Sequence, residues 1–342
     1  MAPPVPGFKL NANGVPDFDA LPLREGDPRR AAWGLYGSAD ELGFLNRLTD
    51  ERVAAAARGE IKSGKRISLN WPLNAQAPNN TFFERAAFHQ ELTLLNRFVA
   101  NDDIWTFNSQ VSTQWDGLRH FAYQDAKLFY NGVSQEDIHH VDKETGERSK
   151  ILGINAWSEQ GIVGRGVLID WHGWRASPDG QARSKVKDYD SFESVAIPLE
   201  DLQACLEAQG TELKFGDILF TRTGFMATLP TKTEAQMTTY RAAHPHQFGG
   251  VEQTEAVLRW IWDHFAAVAG DQPAFERFPS RAGWFMHEVL LAGWGCPIGE
   301  LFDLEALAAH CRARRRWSFF VASEPCNVPG GVASPPNVLA IF

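Results

Sequence analysis

One α/β domain with an extended N-terminal arm is the fold class that the sequence predicts. Three observations predict it. Strand-like and helix-like patterns are mixed along the chain, and no shift in composition marks a boundary between domains. Residues 1–30 are rich in Pro, Asp and Gly, which gives an arm over 1–30 and an α/β domain over 31–342. The composition is globular, with 44% hydrophobic and 22% charged residues among 342.

The elements follow in order. Asp50 can cap a helix whose body is Val53-Ala54-Ala55-Ala56-Ala57, since alanine is the strongest helix former. Ile61 to Trp71 alternates and carries β-branched residues, which predicts a strand. Residues 74–110 are polar and irregular, and a stretch of that length carries function or hidden structure. Gly166 to Asp170 and Asp217 to Arg222 read as strands. Between them, Leu199 to Gln209 reads as an amphipathic helix stopped by Gly210. Further helices are expected over about Thr254 to His264 and Leu304 to Arg314. The tail reads as strand, loop, strand: Ser318 to Ala322, a Pro- and Gly-rich segment, then Val338 to Phe342.

Charge and motifs exclude several classes. Lys and Arg number 33 against 42 Asp and Glu, a net charge of −9 that argues against a nucleic-acid partner. The run Arg312 to Arg316 reads as the solvated end of a helix. No apolar stretch is long enough to span a membrane. The first residues lack the basic start and apolar centre of a secretion signal, so a cytoplasmic location is expected. The four cysteines are scattered and read as reduced thiols. Gly161 to Gly166 leads into a strand rather than out of one, against a phosphate loop. His139-His140 and His244-Pro245-His246 read as loop residues. No G-x-S-x-G elbow is present.

The chemistry is densest at Asn108 to His120. Gln110, Gln114 and Asp116 can face one centre, with Asp116 as an anionic oxygen ligand and the two amides as neutral ones. His120 follows closely enough to serve as acid and base. The same residues also read as a polar loop whose amides bond the backbone. A second constellation is His287, with Glu288 beside it, and Glu300. An apolar run separates His287 from Glu300, and the two can converge if it forms a helix and a turn. They read equally as surface residues at element ends. Twelve Trp and 23 Phe supply rigid apolar surface, either core or pocket wall.

The spacing Gln110, Gln114, Asp116, His120 resembles the H-x-x-x-H-x-D-x-x-x-H motif of the cyclase superfamily, which includes kynurenine formamidases and isatin hydrolases. Gln114-Trp115-Asp116-Gly117 followed by His120 is similar to the Q-W-D-G-x-x-H of its long, largely fungal and bacterial branch. Ala32 to Gly37, Asp40 to Gly43 with Leu45-Asn46, Gly161 to Asp170, Ala267 to Asp271, Pro297 to Glu300 and Val328 to Pro335 match in order, so the resemblance covers roughly 30–342. It implies a swivelling β/β/α fold, a homodimer or larger assembly, and a metal-dependent hydrolase of amide, lactam or ester bonds in small aromatic or cyclic substrates. It implies Asp116, His120 and Glu300 as catalytic groups. Gln110, Gln114, Asp116, His287 and Glu300 become the metal set, with Glu288 as the alternative to His287. Trp33, Phe83, Trp105, Trp115 and Arg119 are the expected substrate contacts. Two histidines of the motif are Gln here. An oxygen-rich set favours Mn²⁺ or Mg²⁺ over Zn²⁺, and Mn²⁺ or Zn²⁺ is the expected cofactor. The alternative is a metal-free lyase, cyclase or isomerase working through Asp116, His120 and Glu300.

Overall fold

The computed structural model describes residues 8–77, 81–95 and 97–342. Thirteen strands follow among the described residues: β1 (Arg66–Ser68), β2 (His89–Leu94), β3 (Asn101–Thr106), β4 (Gln114–Asp116), β5 (Ile162–Ile169), β6 (Ala196–Ile197) and β7 (Asp217–Thr221). Then come β8 (Gly250–Val251), β9 (Phe265–Gly270), β10 (Ile298–Glu300), β11 (Ser318–Ser323), β12 (Ala333–Ser334) and β13 (Val338–Ile341). Nine of them form one mixed sheet, ordered β1-β13-β11-β5-β7-β9-β10-β4-β12. Its centre, β5-β7-β9-β10, is parallel, and both flanks are antiparallel. Strands buried on both faces read as continuous apolar runs. β7 and β9 follow this rule, with every residue buried.

Helices cover the sheet where the sequence places them. Leu199–Gln209 ends at Gly210, whose φ of 62° is left-handed. Glu255–His264 starts behind Thr254, whose side chain accepts from the Val257 amide. Glu305–Arg314 is the third. The helix Asp50–Glu60 packs on β5 and β11. Its cap is Thr49, which accepts from the Arg52 amide, whereas the sequence pointed to Asp50. Asp50 is the first helical residue, where a carboxylate suits the positive end of the helix dipole. At the helix's other end, Glu60 accepts from Arg165 of β5 (2.8 Å), from Ser318 of β11 (2.9 Å) and from Arg316. Arg312 donates to Asp170 at 2.6 Å, so the basic run is partly tied down rather than wholly solvated.

One expectation changes, and another takes a definite form. The strand foreseen over Ile61 to Trp71 shrinks to β1, because Ser63 and Gly64 turn to donate to the Phe342 carbonyl (2.8 and 2.7 Å). The irregular stretch contains the β2–β3 hairpin, paired from His89↔Thr106 to Leu94↔Asn101. Every described β3 residue is exposed, and Leu92, Leu94, Leu95, Phe98, Val99, Ile104 and Trp105 stand in water. Residues 8–30 have one short 3₁₀ turn at Phe18–Ala20 and bury Val15, Phe18 and Leu21. Pro16 accepts from the Trp262 indole at 2.9 Å.

One backbone contact joins distant parts of the chain. Gly43 lies directly against Gly295, with φ of +54° and +63°, and the Phe44 amide donates to the Gly295 carbonyl at 3.0 Å. No helix among the described residues is long and apolar enough to cross a membrane.

Candidate active site

The site is built on two short neighbouring strands. β4 pairs with β10 through Ile298↔Asp116, Gly299↔Trp115 and Glu300↔Gln114. Side chains alternate across a strand, so Gln114 and Asp116 share one face with Glu300, and Trp115 takes the other. The Gln114 amide nitrogen donates to Glu300 Oε2 at 2.8 Å. Behind the strand, the Trp115 indole donates to Ser323 at 2.9 Å. Gln110 arrives on a turn held by Asn108, whose side chain accepts from the Gln110 amide at 2.9 Å. The Gln110 side-chain nitrogen reaches Asp116 Oδ1 at 2.6 Å and His120 Nδ1 at 3.1 Å. His120 follows a turn closed by its own amide on the Gly117 carbonyl, at 3.0 Å.

His287 enters from the far side, just before a π-helical turn over Glu288–Gly293. Its Nδ1 is 2.7 Å from Glu276 Oε1, which also accepts from the His287 amide at 3.3 Å. The other Glu276 oxygen accepts from the Met286 amide. Imidazole Nε2 is thereby aimed at Glu300 Oε1 (3.1 Å) and Asp116 Oδ2 (3.9 Å). His120 Nε2 is 3.7 Å from the same Asp116 oxygen. One donor atom each from Asp116, His120 and His287 therefore lies within 4.8 Å of the others. Asp116 Oδ2 and Gln114 Oε1 are buried without a hydrogen-bond partner among the described residues.

Burial divides the protonation states. It pulls His120 down to about 4, against the charge of Asp116, so the ring is neutral near pH 7. Burial pushes Glu300 up to about 7, and the Asp116 charge adds to the push. For His287 burial acts downward, but the hydrogen bonds to Glu276 and Glu300 outweigh it and hold the imidazole well above its ordinary value. His287 Nε2 and Glu300 Oε1 are joined by a hydrogen bond of 3.1 Å. Beside them, His120, Phe121, Tyr123, Gln124, Lys127 and Phe129 line an open groove of about 430 Å³. Phe121 packs edge-on to His287 (5.5 Å) and to Phe285 (5.4 Å).

Residues 48–277 match the family model described as "Putative cyclase". The chain belongs to the cyclase family. A crystal structure described as a novel cyclase is 30% identical, with a TM-score of 0.76, covering 91% of this chain and 99% of that one. Isatin hydrolase A from Ralstonia solanacearum is 15% identical, with a TM-score of 0.52, covering 84% and 95%. Isatin hydrolase A from Labrenzia aggregata, bound to benzyl benzoate, is 16% identical at the same TM-score, covering 86% and 98%. At these identities the two hydrolases show a shared fold. No curated protein sequence matches the chain significantly.

In this member of the family, Gln110, Gln114, Asp116, His120, His287 and Glu300 come together, although the sequence spreads them from residue 110 to residue 300. Glu288 stands apart: its oxygens accept from the Gln124 and Phe285 amides, both at 2.9 Å. The expected substrate contacts scatter. Trp33 is buried, with its indole on the Ala292 carbonyl at 2.6 Å. Trp105 is on the exposed hairpin, and Trp115 is fully buried behind the site. Phe83 packs with Phe248 and Phe278, at 5.5 and 5.7 Å. Arg119 spends its guanidinium on the carbonyls of Ile151, Gly330 and Ser149, bracing the turn before His120. Glu276, Phe121 and Phe285 belong to the site without a motif to announce them. The available signals were an acid within the Phe- and Pro-containing stretch Pro273 to Pro279 for Glu276 and adjacency to His120 for Phe121.

Proposed function

We propose that this cyclase-family protein is a cation-dependent hydrolase of an amide, lactam or ester bond in a small aromatic or cyclic substrate. The observation that carries the reading is Asp116 Oδ2, a buried carboxylate oxygen without a partner, faced by imidazole nitrogens of His120 and His287. A buried carboxylate oxygen left without a donor is costly, and a cation satisfies it. Asp116 and His287 would hold the ion, with the orphaned Gln114 Oε1 as a neutral donor. Nitrogen in the set brings Zn²⁺ alongside Mn²⁺ as a fitting ion. When bound, a divalent ion polarises the scissile carbonyl and makes water more acidic.

The chain's own groups supply the rest. We assign His120 to proton transfer because its side chain is 21% exposed to the groove, whereas that of Asp116 is fully buried. Neutral near pH 7, it takes a proton from the attacking water and returns it to the leaving nitrogen or oxygen. The Gln110 amide fixes Asp116 and His120 relative to each other. Glu276 fixes the His287 ring so that Nε2 faces the centre. Phe121 supplies an apolar wall for a flat substrate.

A second reading has its own observation. His287 Nε2 and Glu300 Oε1 are hydrogen-bonded at 3.1 Å, and Gln110 already satisfies Asp116 Oδ1, which together make an acid/base cluster fit for a metal-free lyase or isomerase. Elemental analysis of purified protein and turnover of a panel of cyclic amides and aryl esters separate the two. The hydrolase reading expects a stoichiometric divalent ion that Asp116→Asn loses. It also expects His120→Ala to keep the ion and lose about 10²- to 10⁴-fold in rate. Full activity in Asp116→Asn without bound ion would overturn it.

A further inference from the structure

Arg85 lies in the link between the 3₁₀ turn Phe82–Glu84 and β2, and no motif marks it. Among the described residues one of its five N–H groups is accounted for: Nη1 donates to the Gln110 carbonyl at 2.8 Å. That places the guanidinium on the same residue whose side chain holds Asp116 and His120. Its Cζ stands 5.1 Å from the centre of the Phe83 ring. Three other sheltered arginines of this chain are each held by several partners. Arg165 meets Glu60 and Asp217, Arg222 meets Asp170 and Glu305, and Arg119 meets three carbonyls. Among the described residues no carboxylate pairs with Arg85. It is half-buried, and its positive charge reaches both His120 and Glu300.

A guanidinium with free edges, beside a catalytic centre and over an aromatic face, matches a planar anion that can take two parallel hydrogen bonds. Resting on the hydrolase reading for the position of the scissile bond, we propose that Arg85 binds a carboxylate carried by the substrate. The substrate class narrows accordingly, from any small cyclic or aromatic amide or ester to one bearing a carboxylate near the bond that is cut. A neutral amide of the same shape leaves the free N–H groups of Arg85 to water and gains nothing from them.

Benzoate and benzamide share a ring and differ in the charge, so the pair isolates this contact. Binding of each to the full chain is measured by calorimetry, for wild type, Arg85→Gln, Arg85→Lys and Asp116→Asn, with a melting curve for each protein. Wild type is expected to prefer benzoate by about 10- to 100-fold, the range for hydrogen bonds to a charged group. Arg85→Gln brings the ratio close to one, Arg85→Lys leaves an intermediate ratio, and Asp116→Asn keeps the preference. A wild type that binds neither probe, or both equally, overturns the proposal. So does a preference that survives in Arg85→Gln, or one lost in Asp116→Asn while Arg85→Gln retains it. If Arg85→Gln does not fold, an unchanged ratio in Arg85→Lys overturns the proposal just as well. The ratio is a binding readout, so it stands or falls separately from turnover, which tests the hydrolase reading.

Discussion

Glu276 holds His287 at two points, its ring Nδ1 and its amide, while the Met286 amide takes the second carboxylate oxygen. Such partners fix which nitrogen carries the proton and which faces a metal. Glu276→Gln keeps the shape and removes the charge that holds His287. Affinity for Mn²⁺ or Zn²⁺ is expected to fall about 10- to 100-fold, read by calorimetry, with the fold intact by circular dichroism. Single residues were legible in the sequence only where a motif named them. Asp116 and His120 stood in a recognisable spacing. Glu276 lies in a loop with no periodicity, and its role comes from a fold that brings residue 276 to residue 287. Trp115 teaches the converse. If Gln114 and Asp116 share a strand face, the residue between them must face the other way, and its place is behind the site.

At the scale of elements, the pairing of β4 with β10 is what makes the site. Gly299 sits opposite Trp115 on the apolar side of that pair. A Cβ there would lie 2.6 Å from the Phe302 ring, 2.7 Å from the Ala269 Cβ and 2.8 Å from the Trp115 ring. These are rigid neighbours. Gly299→Ala should cost about 1–3 kcal/mol in denaturant unfolding, the usual range for an overpacked core. Activity should fall further than stability, because Glu300 is the next residue. Elements with one buried stripe were legible: Leu199–Gln209 shows its helical period and its Gly210 stop. The hairpin was not, because both its faces meet water. Without a buried face, no alternation of apolar and polar residues is imposed on the strands.

Across the whole molecule, the helix Asp50–Glu60 is fastened to the sheet through Glu60. Burial works against that carboxylate, but the donors Arg316, Arg165 and Ser318 outweigh it and hold Glu60 below its ordinary value of 4.5. A carboxylate lowered on folding adds stability above its unfolded value, and the gain is lost as pH falls through the folded one. Glu60→Gln should therefore cost about 1–3 kcal/mol at pH 7, the range for a bond to a charged group. The gap to wild type should narrow as pH drops below about 4.5, followed by urea melts across that range. The Gly43–Gly295 contact has a different consequence, for how mutations combine. Adding a Cβ to either residue pushes the same two backbone segments apart, since a Cβ on Gly43 would lie 2.3 Å from the Gly295 carbonyl oxygen. Once one alanine has opened that gap, the second meets less resistance. Gly43→Ala and Gly295→Ala should together cost less than the sum of the two, a non-additivity of about 0.5–3 kcal/mol in a double-mutant cycle. Two positions far apart in the chain would then constrain each other's choice of residue as if they were neighbours.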